Sequence, residues 1–239
     1  LKSTYGTGAF VLLNTGSKII YSKNRLLTTI AYRINGKTTY AMEGSIFIAG
    51  AVVQWLRDSI NIIDTADQVG HLASKAKDQN IYFVPAFTGL GAPYWDPDAR
   101  GAIFGLLRDT GREEIALAAL ESVGFQTRDL LEAMIKDVEG MEKAHIKLRV
   151  DGGMTQSSLT MKILANLTGV EINLANIQES TAKGVAWLAG MRAGLYNQLE
   201  VFEKEWALKE KFSPVLSSVE RDKKYKGWKE AVNKTGTST

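Results

Sequence analysis

Three short stretches carry residues suited to holding a phosphorylated ligand. Tyr5-Gly6-Thr7-Gly8 sets glycines on both sides of a hydroxyl, so backbone N–H groups can approach an anion with no Cβ in the way while Thr7 adds a donor. That is a phosphate cradle in outline, and a tight β-hairpin turn uses the same residues. Gly50 and Gln54 stand four apart and share a helix face, where a bare position beside an amide could admit a flat base or ribose. Close helix packing at Gly50 with Gln54 at the solvent edge is the alternative. Asp151-Gly152-Gly153 follows an apolar strand and precedes a helix, which places the turn at the carboxyl edge of a sheet, where open α/β sheets bind nucleotides. It lacks the G-x-G-x-x-G pattern, which argues against a dinucleotide fold, and a plain strand-to-helix turn also fits.

Other residues read as structural. His71 and His145 stand alone, without ligand spacing or a nucleophile partner. Ala186, Gly190 and Gly194 recur at four-residue steps and give a narrow helix face for close packing. Arg221, Lys223, Lys224 and Lys226 form the solvated face of a terminal helix.

The positioning elements follow from periodicity. Ala9 to Asn14, Leu26 to Ile34 and Thr38 to Met42 read as antiparallel strands. Asn35-Gly36 joins the last two as a type I′ turn, whose central residues both need φ > 0. From Ser45, a suitable N-cap, the residues Ile46, Ala49, Val53, Leu56 and Ile60 recur at helical spacing. A polar helical stretch spans 64–77, and a strand over 81–86 leads into the loop 89–98, long enough inside a compact domain to be functional. Thr110 and Glu113 form a capping box opening a long helix to about Ile135. Strands over 146–150 and 170–174 alternate with helices over 157–168 and 181–193. A last helix over 220–232 precedes a polar tail, 233–239, expected to be disordered. Antiparallel strands followed by βα alternation imply a mixed sheet with helices on its faces, in one domain over 1–232.

With 239 residues the chain can bury roughly 70–75 % of its unfolded surface. It has no Cys, 45 % hydrophobic and 23 % charged residues, which describes neither a disordered nor a disulfide-framed protein. A reducing compartment such as the cytoplasm fits. A formal charge of +3 is too small and dispersed to predict nucleic-acid or membrane binding. No apolar run approaches the ~20 residues of a membrane-spanning helix, and residues 1–30 lack the order of a signal peptide. The opening at Leu1, without Met and close to a Gly-rich strand pattern, suggests a start inside a larger protein.

Residues 4–10, 41–45 with 50–57, 84–101, 148–153 and 181–190 stand in the order and spacing of the FGGY carbohydrate kinases. The Gly-Ala-Pro-Tyr-Trp-Asp-Pro run over 91–97 resembles the family's glycerol kinases more closely than its sugar kinases. The resemblance covers the chain from Thr4 to Val232.

It implies an α/β, actin-like, ribonuclease-H-type ATPase domain, a mixed sheet with helices on both faces. The domain would be the C-terminal half of a two-lobed kinase that converts glycerol and MgATP to sn-glycerol 3-phosphate and ADP. By motif, Thr7 lies by the ATP phosphates, Gly50 and Gln54 line the nucleoside pocket, Gly153 stands opposite, and Phe10 places a ring against the glycerol backbone. Ser157 occupies a position that is usually Asn, and Lys162 one that is usually Gln; a Ser hydroxyl is shorter and makes fewer hydrogen bonds than an amide. The family's Asp base, its main glycerol contacts and the acidic residue near Mg2+ belong to preceding chain. No catalytic residue or metal ligand is therefore expected here, and the isolated chain should not turn over. The implied partners are ATP or ADP, glycerol, the N-terminal kinase domain and further copies in a homo-oligomer. The alternatives are an FGGY kinase for a pentose, gluconate or similar polyol, or a catalytically silent actin-like binding module, toward which Ser157 and Lys162 point.

Overall fold

The computed structural model describes residues 1–77, 80–196, 202 and 206–237. Its main sheet has seven strands: β1 (Lys2–Tyr5), β2 (Ala9–Gly16), β3 (Leu27–Ile34), β4 (Lys37–Ile46), β7 (Lys147–Asp151), β8 (Glu171–Ala175) and β9 (Leu208–Phe212). A separate hairpin pairs β5 (Tyr82–Val84) with β6 (Ala102–Phe104). The helices are α1 (Gly50–Asp58), α2 (Gln68–Ala73), α3 (Arg112–Asp137), α4 (Ser158–Thr168), α5 (Ser180–Arg192) and α6 (Ser218–Thr235).

The strand order is β3-β4-β2-β1-β7-β8-β9. The central pairs β1–β7 and β7–β8 are parallel and the flanking pairs antiparallel. This is the mixed sheet that the element order implies. Asn35 and Gly36 have φ of 50° and 79° in the β3–β4 turn, as a type I′ hairpin requires.

Helix α3 supports one face of the sheet. It runs buried for most of its 26 residues, and the Tyr5 hydroxyl, wholly buried on β1, bonds the Thr127 hydroxyl at 2.9 Å. A Cβ at Gly44 would stand 2.6 Å from Leu130, and one at Gly124 would stand 2.9 Å from Leu167 on α4, so both contacts depend on bare backbone. Helix α6 closes over α3: Trp228 stacks on Phe125 with centroids 5.3 Å apart, and its indole N–H donates to Asp129 at 2.8 Å. Burial pushes the Asp129 carboxyl up, partly offset by the Lys229 charge and by donors from Tyr225 and Trp228. The other face carries Lys2, Thr4 and Leu12, and α5 begins on it, since Ser180 reaches Asp151, the β7 partner of Thr4.

Several elements differ from the sequence expectation. Ser45 and Ile46 are not helical: they pair with Phe10 and Ala9 as the end of β4, and α1 starts only at Gly50. Strand pairing wins there over helical spacing. The helix expected over 64–77 shrinks to Gln68–Ala73. The α3 capping interaction comes from Glu114, which accepts the Gly111 N–H at 2.8 Å, while Thr110 accepts the Leu107 N–H instead. Strand 81–86 joins the small hairpin, not the main sheet. Strands β1, β6 and β9 add to the expected set. The tail differs too: α6 extends to Thr235, and Thr237 donates to Asp96 through its N–H and hydroxyl at 2.7 and 2.8 Å. Residues 238–239 lie outside the described residues.

Trp228→Ala should destabilise the fold by about 3–5 kcal/mol, because it removes a fully buried ring and an indole donor together. Urea unfolding checks this; an unchanged midpoint would mean that α6 is not part of the cooperative core.

Candidate functional site

The site begins with the turn between β1 and β2. Helix α1 has no side-chain N-cap, and carbonyls of this turn serve instead. Gly6 O accepts the Gly50 N–H at 2.8 Å, and Thr7 O accepts the N–H groups of Ala49 and Ala51 at 2.9 and 3.0 Å. In a trans peptide the C=O and the following N–H point in opposite directions. With the Gly6 and Thr7 carbonyls aimed into α1, the Thr7 and Gly8 N–H groups face away from it, as an anion-holding turn needs.

This fit requires glycine. A Cβ at Gly50 would sit 2.5 Å from Gly6 O, and one at Gly8 would sit 2.6 Å from Ile46 O. Gly50 is therefore bare because the turn lies against it, which modifies the expectation that its bareness admits a base. The third stretch comes to the same place. Gly152, at φ 96°, abuts the Tyr5 carbonyl, 2.4 Å from where its Cβ would be, while a Cβ at Gly153 would meet nothing within 4 Å.

Between these segments lies a cleft of about 530 Å³ lined by Gly6, Thr7, Gly50, Val53, Gln54, Arg57, Ala66, Asp67, Val69, Leu120, Gly153, Met154, Gln156, Ser157 and Thr160. It brings together Thr7, Gly50, Gln54, Gly153 and Ser157. Ser157 also caps α4, accepting the Thr160 N–H at 3.2 Å, so its hydroxyl keeps a proton to donate. Phe10 is not among the lining residues: it sits on β2 between Thr4 and Ser45 with half its surface exposed. Lys162 is exposed on α4 and does not line the cleft either.

Sequence reasoning missed Arg57, Ala66, Asp67 and Met154. Arg57 was within reach, three residues past Gln54 on the same helix; Ala66 and Asp67 come from a polar stretch with no chemical signature. Arg57 is tied to Asp58 at 2.6 and 2.8 Å, which raises its pKa further. Hydrogen bonds from Thr65 and the backbone hold the Asp67 carboxyl below its ordinary range. One cation and one anion leave the lining without net charge, so attraction for phosphate falls to oriented backbone amides and to whatever accompanies the ligand. Among the described residues no group of three or more His, Cys, Asp or Glu side chains could hold a metal ion, and Asp67 is the single carboxylate in the lining. These residues do not fit a resident Mg2+ site.

A larger cavity, about 950 Å³, lies on the other face of the sheet beside Lys2, Leu12, Arg149 and Asn173. It contains none of the candidate residues. Size favours that cavity; convergent backbone favours the smaller cleft, and backbone geometry is the more specific signal.

Residues 1–193 match the C-terminal domain of the FGGY family of carbohydrate kinases. The chain belongs to this family. A protein named glycerol kinase from Rhizobium rhizogenes is 59 % identical over 236 residues, covering 98 % of this chain and 47 % of its own. One from Sinorhizobium fredii is 58 % identical with the same coverage. The chain thus spans about half the length of the curated relatives it matches. Among solved structures, Plasmodium falciparum glycerol kinase with ADP aligns at TM-score 0.88 and 36 % identity, over 100 % of this chain and 47 % of that one. A gluconate kinase from Lactobacillus acidophilus aligns at 0.83 and 23 % identity over 99 % and 47 %, a likeness of fold alone. The actin-like architecture expected for FGGY kinases is the one observed.

Gly50→Ala should destabilise the chain by about 1–3 kcal/mol, since its methyl meets backbone, whereas Gly153→Ala should leave stability unchanged. Thermal unfolding of both variants checks this; equal losses would contradict the asymmetry of the two walls.

Proposed function

We propose that this chain is the nucleotide-binding half of a glycerol kinase, acting within a longer polypeptide over residues 1–232. The observation that carries the reading is the convergence of three glycine-bared backbone segments on one cleft, in a chain whose relatives at 58–59 % identity are named glycerol kinase. The likeness to a glycerol kinase solved with ADP supports a nucleotide as the occupant.

ATP then lies with its phosphates at the Gly6–Gly8 turn. The outward Thr7 and Gly8 N–H groups and the Thr7 hydroxyl donate to phosphate oxygens, offsetting negative charge where it accumulates during transfer. Gly50 and Gln54 form one wall for the nucleoside, Gly153 and Ser157 the other, with Ser157 donating a single hydrogen bond. A hydroxyl of glycerol attacks the γ-phosphorus in line, a P–O bond forms as the bond to ADP breaks, and the hydroxyl proton passes to a base outside this chain. Phe10 supplies an apolar surface for the glycerol backbone. The preceding half would hold the base, the remaining glycerol contacts and the carboxylates for Mg2+, whose positive charge would offset the negative charge of the phosphates. Closure of the two halves around the cleft excludes water. No helix of the described residues is long and apolar enough to cross a membrane. Action in the cytoplasm and assembly as a homo-oligomer belong to the same reading.

The test uses the full-length polypeptide with ATP and a panel of glycerol, gluconate and xylulose. The expected result is kcat/KM highest for glycerol, with Thr7→Val lowering kcat about tenfold to a hundredfold through loss of a charge-assisted hydrogen bond. Preference for another acceptor overturns the substrate, an unchanged kcat and ATP KM in Thr7→Val overturns its role, and turnover by this chain alone overturns the division of labour.

A further inference from the structure

Asp151 ends β7 almost wholly buried, yet it does not line the cleft. Its carboxylate ties three elements together. Oδ2 accepts the N–H of Ser180 at 3.1 Å, at the start of α5, and also the Ser180 hydroxyl. Oδ1 lies 2.9 Å from Lys2 Nζ on β1, close enough for an ion pair although off hydrogen-bond alignment. Lys2 Nζ in turn donates to Thr4 Oγ1 and, at 3.3 Å, to Thr181 Oγ1.

The next residue receives the result. The Gly152 N–H donates to Gln178 O at 3.1 Å, ahead of α5, and its carbonyl accepts the Thr155 N–H and hydroxyl at 3.1 and 2.7 Å. A Cβ on Gly152 would stand 2.4 Å from the Tyr5 carbonyl oxygen, so only glycine fits there. Gly152 is thus held from β1, from α5 and from the turn that follows, and Gly153 opens into the cleft one residue later. Tyr5, against which Gly152 rests, is the residue before the Gly6–Gly8 turn.

We propose that Asp151, with Lys2 and Ser180, is a positioning residue for the nucleotide: it fixes the Gly152-Gly153 wall against the Gly6-Thr7 turn and so sets the span between nucleoside and phosphate contacts. An ion pair with one partner buried and the other one-third exposed adds little net stability, so geometry is its more useful product. A wall that drifts relative to the turn must be re-ordered by the ligand, and that cost appears as weaker affinity. The inference rests on the nucleotide reading above.

Titration calorimetry of MgADP into the full-length polypeptide tests it. Asp151→Asn should raise Kd about tenfold, equivalent to about 1.4 kcal/mol, and Lys2→Met severalfold. Lys2→Arg should keep the parental Kd, and the KM for glycerol should be unchanged throughout. Should Asp151→Asn fail to fold, Lys2→Met decides, because Lys2 is one-third exposed. Parental Kd in Lys2→Met and Asp151→Asn, even with a lowered Tm, overturns the positioning role alone. Absence of MgADP binding by the parent overturns the nucleotide reading and this proposal with it.

Discussion

The capping of α1 by the carbonyls of Gly6 and Thr7 is the constraint on which the rest depends. A helix start buried against protein must find acceptors for its first N–H groups, and α1 finds them on a neighbouring hairpin turn instead of on a Ser or Asp side chain. Two consequences follow from the planarity of the peptide. The turn is held at 2.8–3.0 Å from the helix, a distance that only Gly50 permits, and its amides are turned outward. One set of hydrogen bonds therefore satisfies the helix and orients the turn for an anion.

The remaining architecture keeps that unit in place. Tyr5, just before the turn, is locked to α3 through Thr127, and α3 is clamped from behind by Trp228 and Tyr225 on α6, both donating to the buried Asp129. The opposite wall, Gly152 and Gly153, is fixed against the same Tyr5 carbonyl. Both walls of the cleft are thus referenced to β1, a strand of four residues at the centre of the sheet. Disturbance of β1 would move both together, whereas disturbance at α1 or β7 would change the spacing between them.

Much of this was legible in the sequence, for identifiable reasons. Thr7, Gly50, Gln54, Gly153 and Ser157 share a cleft; each stretch alone reads equally as a turn or a packing contact, and their order along the chain, which matches a family pattern, is what singles them out. Asn35-Gly36 fixed its hairpin through φ alone. Ser45 misled, since Ile46, Ala49 and Val53 carry helical spacing while pairing with Ala9 and Phe10 decides the local conformation. Strand β9 was invisible because its Lys209, Glu210 and Lys211 are exposed on a sheet edge, where charge is favoured over the apolar alternation that marks a strand. Asp67 was invisible because a carboxylate in a polar stretch has no local mark of what it will face. Capping by a remote carbonyl, as at α1, leaves no trace in local sequence.

In the proposed reading, phosphoryl transfer divides between a half that holds the nucleotide, to which the cleft residues of this chain would belong, and a preceding half that would hold the base and most of the acceptor contacts. The most direct test of the account is an amide NMR titration of the protein with MgADP. The account predicts that the Thr7, Gly8, Gly50 and Gly153 amides move together and fit a single Kd. Shifts confined to the larger cavity around Arg149 and Asn173, with the glycine turns unmoved, would contradict it.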